Sequence, residues 1–464
     1  MAQPPRFSLW DLLLFVVILA LAAGVRSGYL LSCADAGRAP GPLRVQAEPP
    51  PLRGIPPGTK ILDKENPTDF DLLVHNLKES NWFGSLAPLA PKEEQTAHTS
   101  PGYPWLISAV ARVLPPEQRD FAVRWLQCLL GTLTAGFYFL FARRAFQSRT
   151  IAGLAGLFTA LHPFWIINTA SINDGVLTCF LLSVVLLLGV RASQTGGPIS
   201  SLLFGLGLAG LALVRAALLP FSFLAMAWLL LRSRSLQGGW LCALVAFLGF
   251  AIGLAPWTVR NVQVFGEPLP VVDSAYLHLW AGNNPQADGG PLTESMLAGL
   301  PPELEQIEHQ PERYARLGAS VKDEVLHHPV PTLQRRFQAA LAFFLGKRWF
   351  STRELAEEVP GTTLPAWLWS YQELALTATL FGLFALGILG WRWTHAWRTE
   401  TVPATLAVLW IPLPYIIGHA EALSGPRLPI DGILFCYAAY VLACLLPGGQ
   451  ALSEGPQEQP AEEF

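Results

Sequence analysis

Apolar residues in this chain come in long unbroken runs, not with the alternation of half-buried strands or amphipathic helices. About 20 residues of helix cross the hydrocarbon of a bilayer, so runs approaching that length and bounded by charge, Pro or Gly predict membrane spans. Ten stand out: 9–31, 121–141, 151–170, 175–190, 200–214, 216–231, 240–257, 366–391, 402–422 and 428–446. Only Arg215 separates the fifth from the sixth. The pattern predicts an all-α polytopic membrane protein of about ten transmembrane helices. Its parts are a first helix (1–33), a long loop (34–120), a bundle (121–259), a second long loop (260–365), carboxyl-terminal helices (366–447) and a polar acidic tail (448–464) that reads as disordered.

The loops carry patterns of their own. GRAPGPLRVQAEPPPLRGIPPG is too rich in Pro for a helix. Beyond it, Phe70, Leu73, Val74 and Leu77 recur at helical spacing in DFDLLVHNLKESNWFG, predicting a short juxtamembrane helix. Residues 335–350, with an apolar LAFFL centre between Arg336 and Lys347/Arg348, read as a second, interfacial helix.

Lys and Arg favour cytoplasmic loops. Alternation across the spans puts Arg6, Arg143/Arg144/Arg149, Arg191, Arg232/Arg234 and Arg392/Arg398 on one side, which is then the cytoplasm. Both long loops face the other way. The first apolar run is longer than the core of a cleaved signal, which favours a retained helix.

Composition agrees with a lipid solvent: 52% of residues are hydrophobic, 14% are charged and the mean hydropathy is +0.37. A net charge of -3 offers no basic face to nucleic acid. The six cysteines, of which all but Cys33 sit well inside apolar runs, have no metal-ligand spacing and read as small hydrophobes. Trp165, Trp257, Trp367 and Trp369, at span ends, read as an interfacial belt.

Polar groups beside apolar runs need a partner or a task, and here they gather at outer span ends. Asp174 follows the third span, Arg215 divides the fifth from the sixth, and Arg260 follows PWTV at the end of the seventh. His419, Glu421 and Arg427 share GHAEALSGPRLPID between the last two. An acid, several arginines and a histidine on one face compose a site for a phosphate-bearing ligand. Each has a plainer reading too: Asp69, Asp71 and Asp174 can cap helices, and the arginines can reach headgroup phosphates.

In order along the chain, PGYPWLISAV (101–110), RRAF (143–146), INDGVL (172–177), PWTVRN (256–261), LHLWAGNNP (277–285) and GPRLPID (425–431) resemble the C-type, family 39-like membrane glycosyltransferases, which include protein O-mannosyltransferases and lipid A aminoarabinose transferases. The resemblance implies inverting transfer of a sugar from a polyprenyl-phosphate donor to an acceptor outside the membrane, the donor phosphate being held by Arg215, Arg260, His419 and Arg427. It further implies a bacterial inner-membrane location with the active site facing outward. Relatives place an acid four residues before a Tyr in the first loop; here Phe70 holds the Tyr position and Asn66 the acid's. Among Asp63, Glu65, Asp69 and Asp71, the pair Asp69 and Asp71 are the preferred replacements as base, with loss of catalysis as the alternative. Asp174 corresponds to the family's second outer acid. Some relatives hold a divalent metal just before the motif matching HTSPGYP, which makes Glu94 and His98 the metal candidates. Two other functions compete: a transporter or flippase of a lipid-linked or anionic substrate, and a non-catalytic scaffold. A transporter would show charges or breaks near mid-span, whereas Asp11, Arg26 and Arg124 read as lying near span ends.

Overall fold

A computed structural model describes residues 7–35, 97, 99–170, 172–233, 239–287, 300, 304, 307, 310–345, 379–380, 382–388, 399–418 and 427–446. The described residues are helical, without strands. The first seven helices are α1 (Leu9–Asp35), α2 (Gly102–Val113), α3 (Pro116–Ala145), α4 (Arg149–Leu161), α5 (Pro163–Ala170), α6 (Gly175–Thr195) and α7 (Pro198–Val214). Then come α8 (Leu219–Ser233), α9 (Gly239–Phe265), α10 (Ala275–Asn283), α11 (Gln310–His327), α12 (Pro329–Leu345), α13 (Val402–Trp410), α14 (Pro412–Ile417) and α15 (Leu428–Leu445).

Among the described residues, six helices are long and apolar enough to cross a membrane: Leu9–Leu31, Phe121–Ala145, Gly175–Thr195, Ala216–Ser233, Gly239–Phe265 and Leu428–Leu445. The run predicted at 151–170 is a bent pair, α4 and α5 meeting at 46°, and the runs at 200–214 and 402–422 are the shorter apolar helices Pro198–Val214 and Val402–Ile417. Most of the run at 366–391 lies outside the described residues, as do the predicted helix around Phe70 and the acidic tail. The seventh run extends to Phe265, so Arg260 lies inside α9 and does not follow it.

The bend has a local cause. Pro163 has no N–H to donate and opens a new helix, freeing carbonyls in the turn before it. Arg26, fully buried in α1, takes up two of them, donating Nη2 to Thr159 O (3.1 Å) and Nη1 to Ala160 O (3.0 Å). Arg26, five residues before the end of the Leu9–Leu31 span, is thus a buried strut. At the other charge in α1, Asp11 accepts from Nε of both Arg143 and Arg149 at 3.0 Å. The opposite end of α3 carries Arg124, whose Nε donates to Ala170 O (2.9 Å) just before Asp174. The predicted cytoplasmic arginines and the candidate acid therefore stand at opposite ends of the bundle.

One hydrophobic core runs through these helices, from Ile18 of α1 to Ala443 of α15. Trp165 and Trp257 belong to it and are nearly fully buried, so these two do not form an interfacial belt. Between α7 and α9 small residues let backbones touch: a Cβ on Gly205 would lie 1.9 Å from Ala246 O, and one on Gly249 would lie 2.5 Å from Leu202 O. Gly205→Ala should push these helices apart, costing about 1–3 kcal/mol as overpacking does. Gly153→Ala in α4, with nothing within 4 Å of the new methyl, should be neutral or better. Thermal unfolding in detergent compares the two.

Candidate functional site

The site is built on a helix break. α7 ends at Val214, Arg215 is extended (φ -142°, ψ 98°), and a 3-10 turn at Ala216–Leu218 leads into α8. An interrupted helix leaves backbone donors unused, and Ser100 Oγ accepts from the Ala216 N–H at 3.0 Å. Gly102 fits here because a Cβ would meet Val214 Cγ2 at 2.7 Å and the Leu213 carbonyl at 3.0 Å. Tyr103 donates to Gln127 Oε1 (2.5 Å), and Gln127 donates to Thr169 O (2.9 Å). The SPGYP segment thus braces the break that carries Arg215.

Arg215 grips Asp174 with two parallel bonds, Nε to Oδ2 at 2.9 Å and Nη2 to Oδ1 at 2.8 Å, the fork geometry that makes arginine selective for carboxylate and phosphate. Its Nη1 donates to Tyr415 Oη at 3.1 Å. Asp174 holds the N-cap position of α6 but makes no capping bond with its side chain; the neighbouring Asn173 Oδ1 accepts from Gly175 N at 2.9 Å. The capping reading of Asp174 therefore gives way to the ion pair. The Asp174 side chain is 25% exposed against 8% for Arg215, so the pair faces outward on its acidic side.

The network continues through aromatic contacts. Tyr415 stacks on Phe343 with ring centroids 5.5 Å apart, and the Phe344 carbonyl accepts from Arg427 Nη1 at 2.8 Å. Arg427 also donates Nε to Asp431 Oδ1 at 3.1 Å, a pair only 1% and 0% exposed at the head of α15. Asp174, Arg215 and Arg427, three residues singled out from sequence, thus belong to one connected set with Tyr415, Phe343 and Asp431. A cavity with room for a water molecule is lined by Thr134, Trp165, Asn168, Thr169, Cys179 and Leu428, the last of them next to Arg427 in the chain.

Arg260 belongs to a second cluster. Its guanidinium carbon lies 4.8 Å from the Trp257 ring centroid and 5.5 Å from that of Phe265, within reach of cation–π attraction. Nη1 donates to Asn261 Oδ1 at 3.0 Å. The rest of PWTVRN fastens the following loop, Trp257 Nε1 donating to Val271 O (2.6 Å) and Asn261 Nδ2 to Leu269 O (2.9 Å). An edge-on contact of Trp105 with Trp257, 5.4 Å between centroids, ties this cluster to the SPGYPW segment. Asp69, Asp71, Glu94, His98 and His419 lie outside the described residues. Among the described residues no group of three or more His, Cys, Asp or Glu side chains is placed to hold a metal ion.

The fastened loop presents a residue that the sequence did not single out. Asp273 is only 7% exposed, and its N–H donates to Ala97 O (3.3 Å), drawing in the start of the HTSPGYP segment. Burial pushes its carboxyl up to about 7, against the smaller pull of a backbone hydrogen bond and of the Arg313 and Arg260 guanidinium groups. An acid with a raised folded pKa binds its proton more tightly folded than unfolded. Stability is then greatest in acid and declines as pH rises from the ordinary 3.8 through about 7. Asp273→Asn, uncharged at every pH, should flatten that decline, as read by unfolding midpoints at about pH 4 and about pH 8.

Residues 98–258 match the model of a family described as dolichyl-phosphate-mannose-protein mannosyltransferase. The motifs at 101–110, 143–146 and 172–177 fall inside that stretch, whereas GNNP and GPRLPID lie beyond it. The resemblance read from the sequence thus has an independent counterpart over this part of the chain. Among solved structures, the chain is similar to the oligosaccharyltransferase of Archaeoglobus fulgidus in its apo form, with 13% identity, a TM-score of 0.49 and coverage of 94% of this chain and 51% of that one. The same enzyme in complex with Zn and sulfate gives 12%, 0.48, 95% and 54%. The chain spans about half the length of those structures. No curated protein matches by sequence.

Proposed function

We propose that this chain is a multi-pass membrane glycosyltransferase that moves a sugar from a polyprenyl-phosphate donor to an acceptor hydroxyl on the side of the two long loops. The observation that carries the reading is the forked Asp174–Arg215 pair on a helix break braced by the SPGYP segment, joined through Tyr415 and Phe343 to Arg427. Arginine forks of this kind recognise phosphate as readily as carboxylate. In the proposed reaction the acceptor oxygen bonds to the anomeric carbon as the bond from that carbon to the donor phosphate oxygen breaks. Polyprenyl phosphate leaves, its developing charge met by Arg215 and Arg427, with Arg260 and His419 as further donor contacts. The hydroxyl proton passes to a carboxylate of the first loop, Asp69 or Asp71, and Asp174 keeps Arg215 aimed. The family match over 98–258 supports the chemistry, and the placement of Arg143 and Arg149 at the opposite end of the bundle supports a site facing away from the cytoplasm, which in the proposed reading is the outer side of a bacterial inner membrane.

The broken helix at Pro163 is a feature shared with discontinuous transporter helices. Arg26 already holds the freed carbonyls there, so the break needs no transported substrate to explain it.

The test is release of polyprenyl phosphate from dolichyl-phosphate mannose and from a bacterial polyprenyl-phosphate sugar by purified protein, with and without a chelator of divalent metals. Release that depends on an acceptor supports the reading, and loss on chelation would place a metal in the reaction. Absence of both release and donor binding for every sugar tried would overturn it. Orientation is read separately: Ala287→Cys should react with an impermeant maleimide in intact cells, and Ser453→Cys only after permeabilisation.

A further inference from the structure

α12 has its polarity turned inside out. Val330, Leu333, Phe337 and Leu341, spaced three, four and four residues apart on one stripe, are 75%, 71%, 64% and 40% exposed. Its arginines turn inward: Arg335 is 7% exposed and donates to Glu324 Oε1 at 2.7 Å, and Arg336 points into the protein. A helix bathed in water would present the reverse arrangement.

Two observations identify what covers the stripe. The last turn of α12 enters the core shared by the spans, where Phe343 stacks on Tyr415 and the Phe344 carbonyl meets Arg427. The neighbouring Val402–Ile417 pair, against which α12 packs, leaves Leu409, Leu413 and Ile417 exposed at the same four-residue spacing. Both faces suit acyl chains.

The inward side carries a junction. Arg336 Nη1 donates to the carbonyls of Ile416 (2.7 Å), Ile417 (2.5 Å) and Gly418, and Nη2 to that of Gly282. One guanidinium therefore gathers the carboxyl-terminal carbonyls of α10 and α14, where unsatisfied groups and helix dipoles both favour a cation. Asn283 Nδ2 adds a bond to Ile417 O at 3.1 Å. Glycine is required at 282, because a Cβ there would lie 1.6 Å from Gly418 O.

We infer that α12 is seated in the outer leaflet, its stripe against lipid acyl chains, and that through Arg336 this seat fixes the carboxyl-terminal ends of α10 and α14 to one another. Both parts stand independently of the proposed function. Arg336 is a positioning residue and touches no substrate.

The full chain in phosphatidylcholine nanodiscs tests both parts. Nitroxide labels at Leu333→Cys and Phe337→Cys should collide more with oxygen than with an aqueous nickel chelate, and a label at Asp323→Cys, a charged and 77% exposed position of α11, the reverse. A chelate-dominated signal at 333 and 337, or crosslinking of Leu333→Cys between copies, would overturn the lipid seat. A label at Ile417→Cys should become several-fold more mobile in Arg336→Ala, and less so in Arg336→Lys, which keeps one cation beside the carbonyls. An unchanged label in both would overturn the positioning role. Neither readout uses turnover, so a failure of sugar transfer in the unaltered protein counts against the glycosyltransferase reading alone.

Discussion

Arg215→Met should lower release of polyprenyl phosphate by roughly hundredfold or more, the usual cost of removing one preorganised charge-stabilising donor from an active site, while the protein still folds. Methionine keeps much of the apolar stem that packs at the break, and the carboxylate left behind, 25% exposed, can turn to water. Asp174→Asn separates two roles. Asparagine can still accept one bond from Arg215, so if Asp174 only aims the arginine the loss should be the milder of the two. A loss as deep as that of Arg215→Met would give the carboxylate itself a part in the chemistry. Single-turnover release measured beside donor binding resolves these outcomes, and unchanged release in Arg215→Met would remove the arginine from the site.

The second large effect is at Arg427 and Asp431, where removing one charge and removing both should differ in sign. Asp431→Leu leaves a guanidinium buried without its carboxylate, which costs about 3–5 kcal/mol for such pairs. Little folded protein should then be recovered from detergent. Arg427→Met/Asp431→Leu removes both charges in favour of apolar groups of similar volume, an exchange that is often neutral or stabilising. Folding should return, yet binding of a polyprenyl-phosphate sugar should stay about tenfold or more weaker, because a charge-assisted phosphate contact is gone. If the double variant binds donor like the unaltered protein, Arg427 serves the fold alone.

Much of this was legible in the sequence because lipid imposes a coarse rule: run length finds spans without knowledge of partners. Leu428–Leu445 was foreseen to within a residue, and Arg215 marked its own break by dividing two apolar runs. The pairing of the site was less accessible. Arg427 and Asp431 are four residues apart at the head of an apolar run, a spacing that puts both on one helix face; that signal was present and could have been used. Nothing local marks Tyr415, whose value comes from Arg215, 200 residues away in sequence. Asp273 likewise looks like an ordinary loop acid until the loop is fastened by Trp257 and Asn261, because its burial is supplied by distant segments. The belt reading of Trp165 and Trp257 failed for the same reason: position along a span does not say which side of a helix faces protein.

The strut in α1 also bears on how the protein is made. A charge toward the end of a lone helix costs less than the roughly 2.5–3.5 kcal/mol of one at its centre, yet α1 carries two, Asp11 and Arg26, both buried in the folded bundle. Their partners, Arg143, Arg149 and the carbonyls of Thr159 and Ala160, are synthesised more than a hundred residues later. Until α3 and α4 leave the ribosome, the first helix has no internal acceptors for its guanidinium beyond the carbonyl of Ala22 in its own backbone. The final seating of the first helix is therefore completed only when the later hairpin arrives.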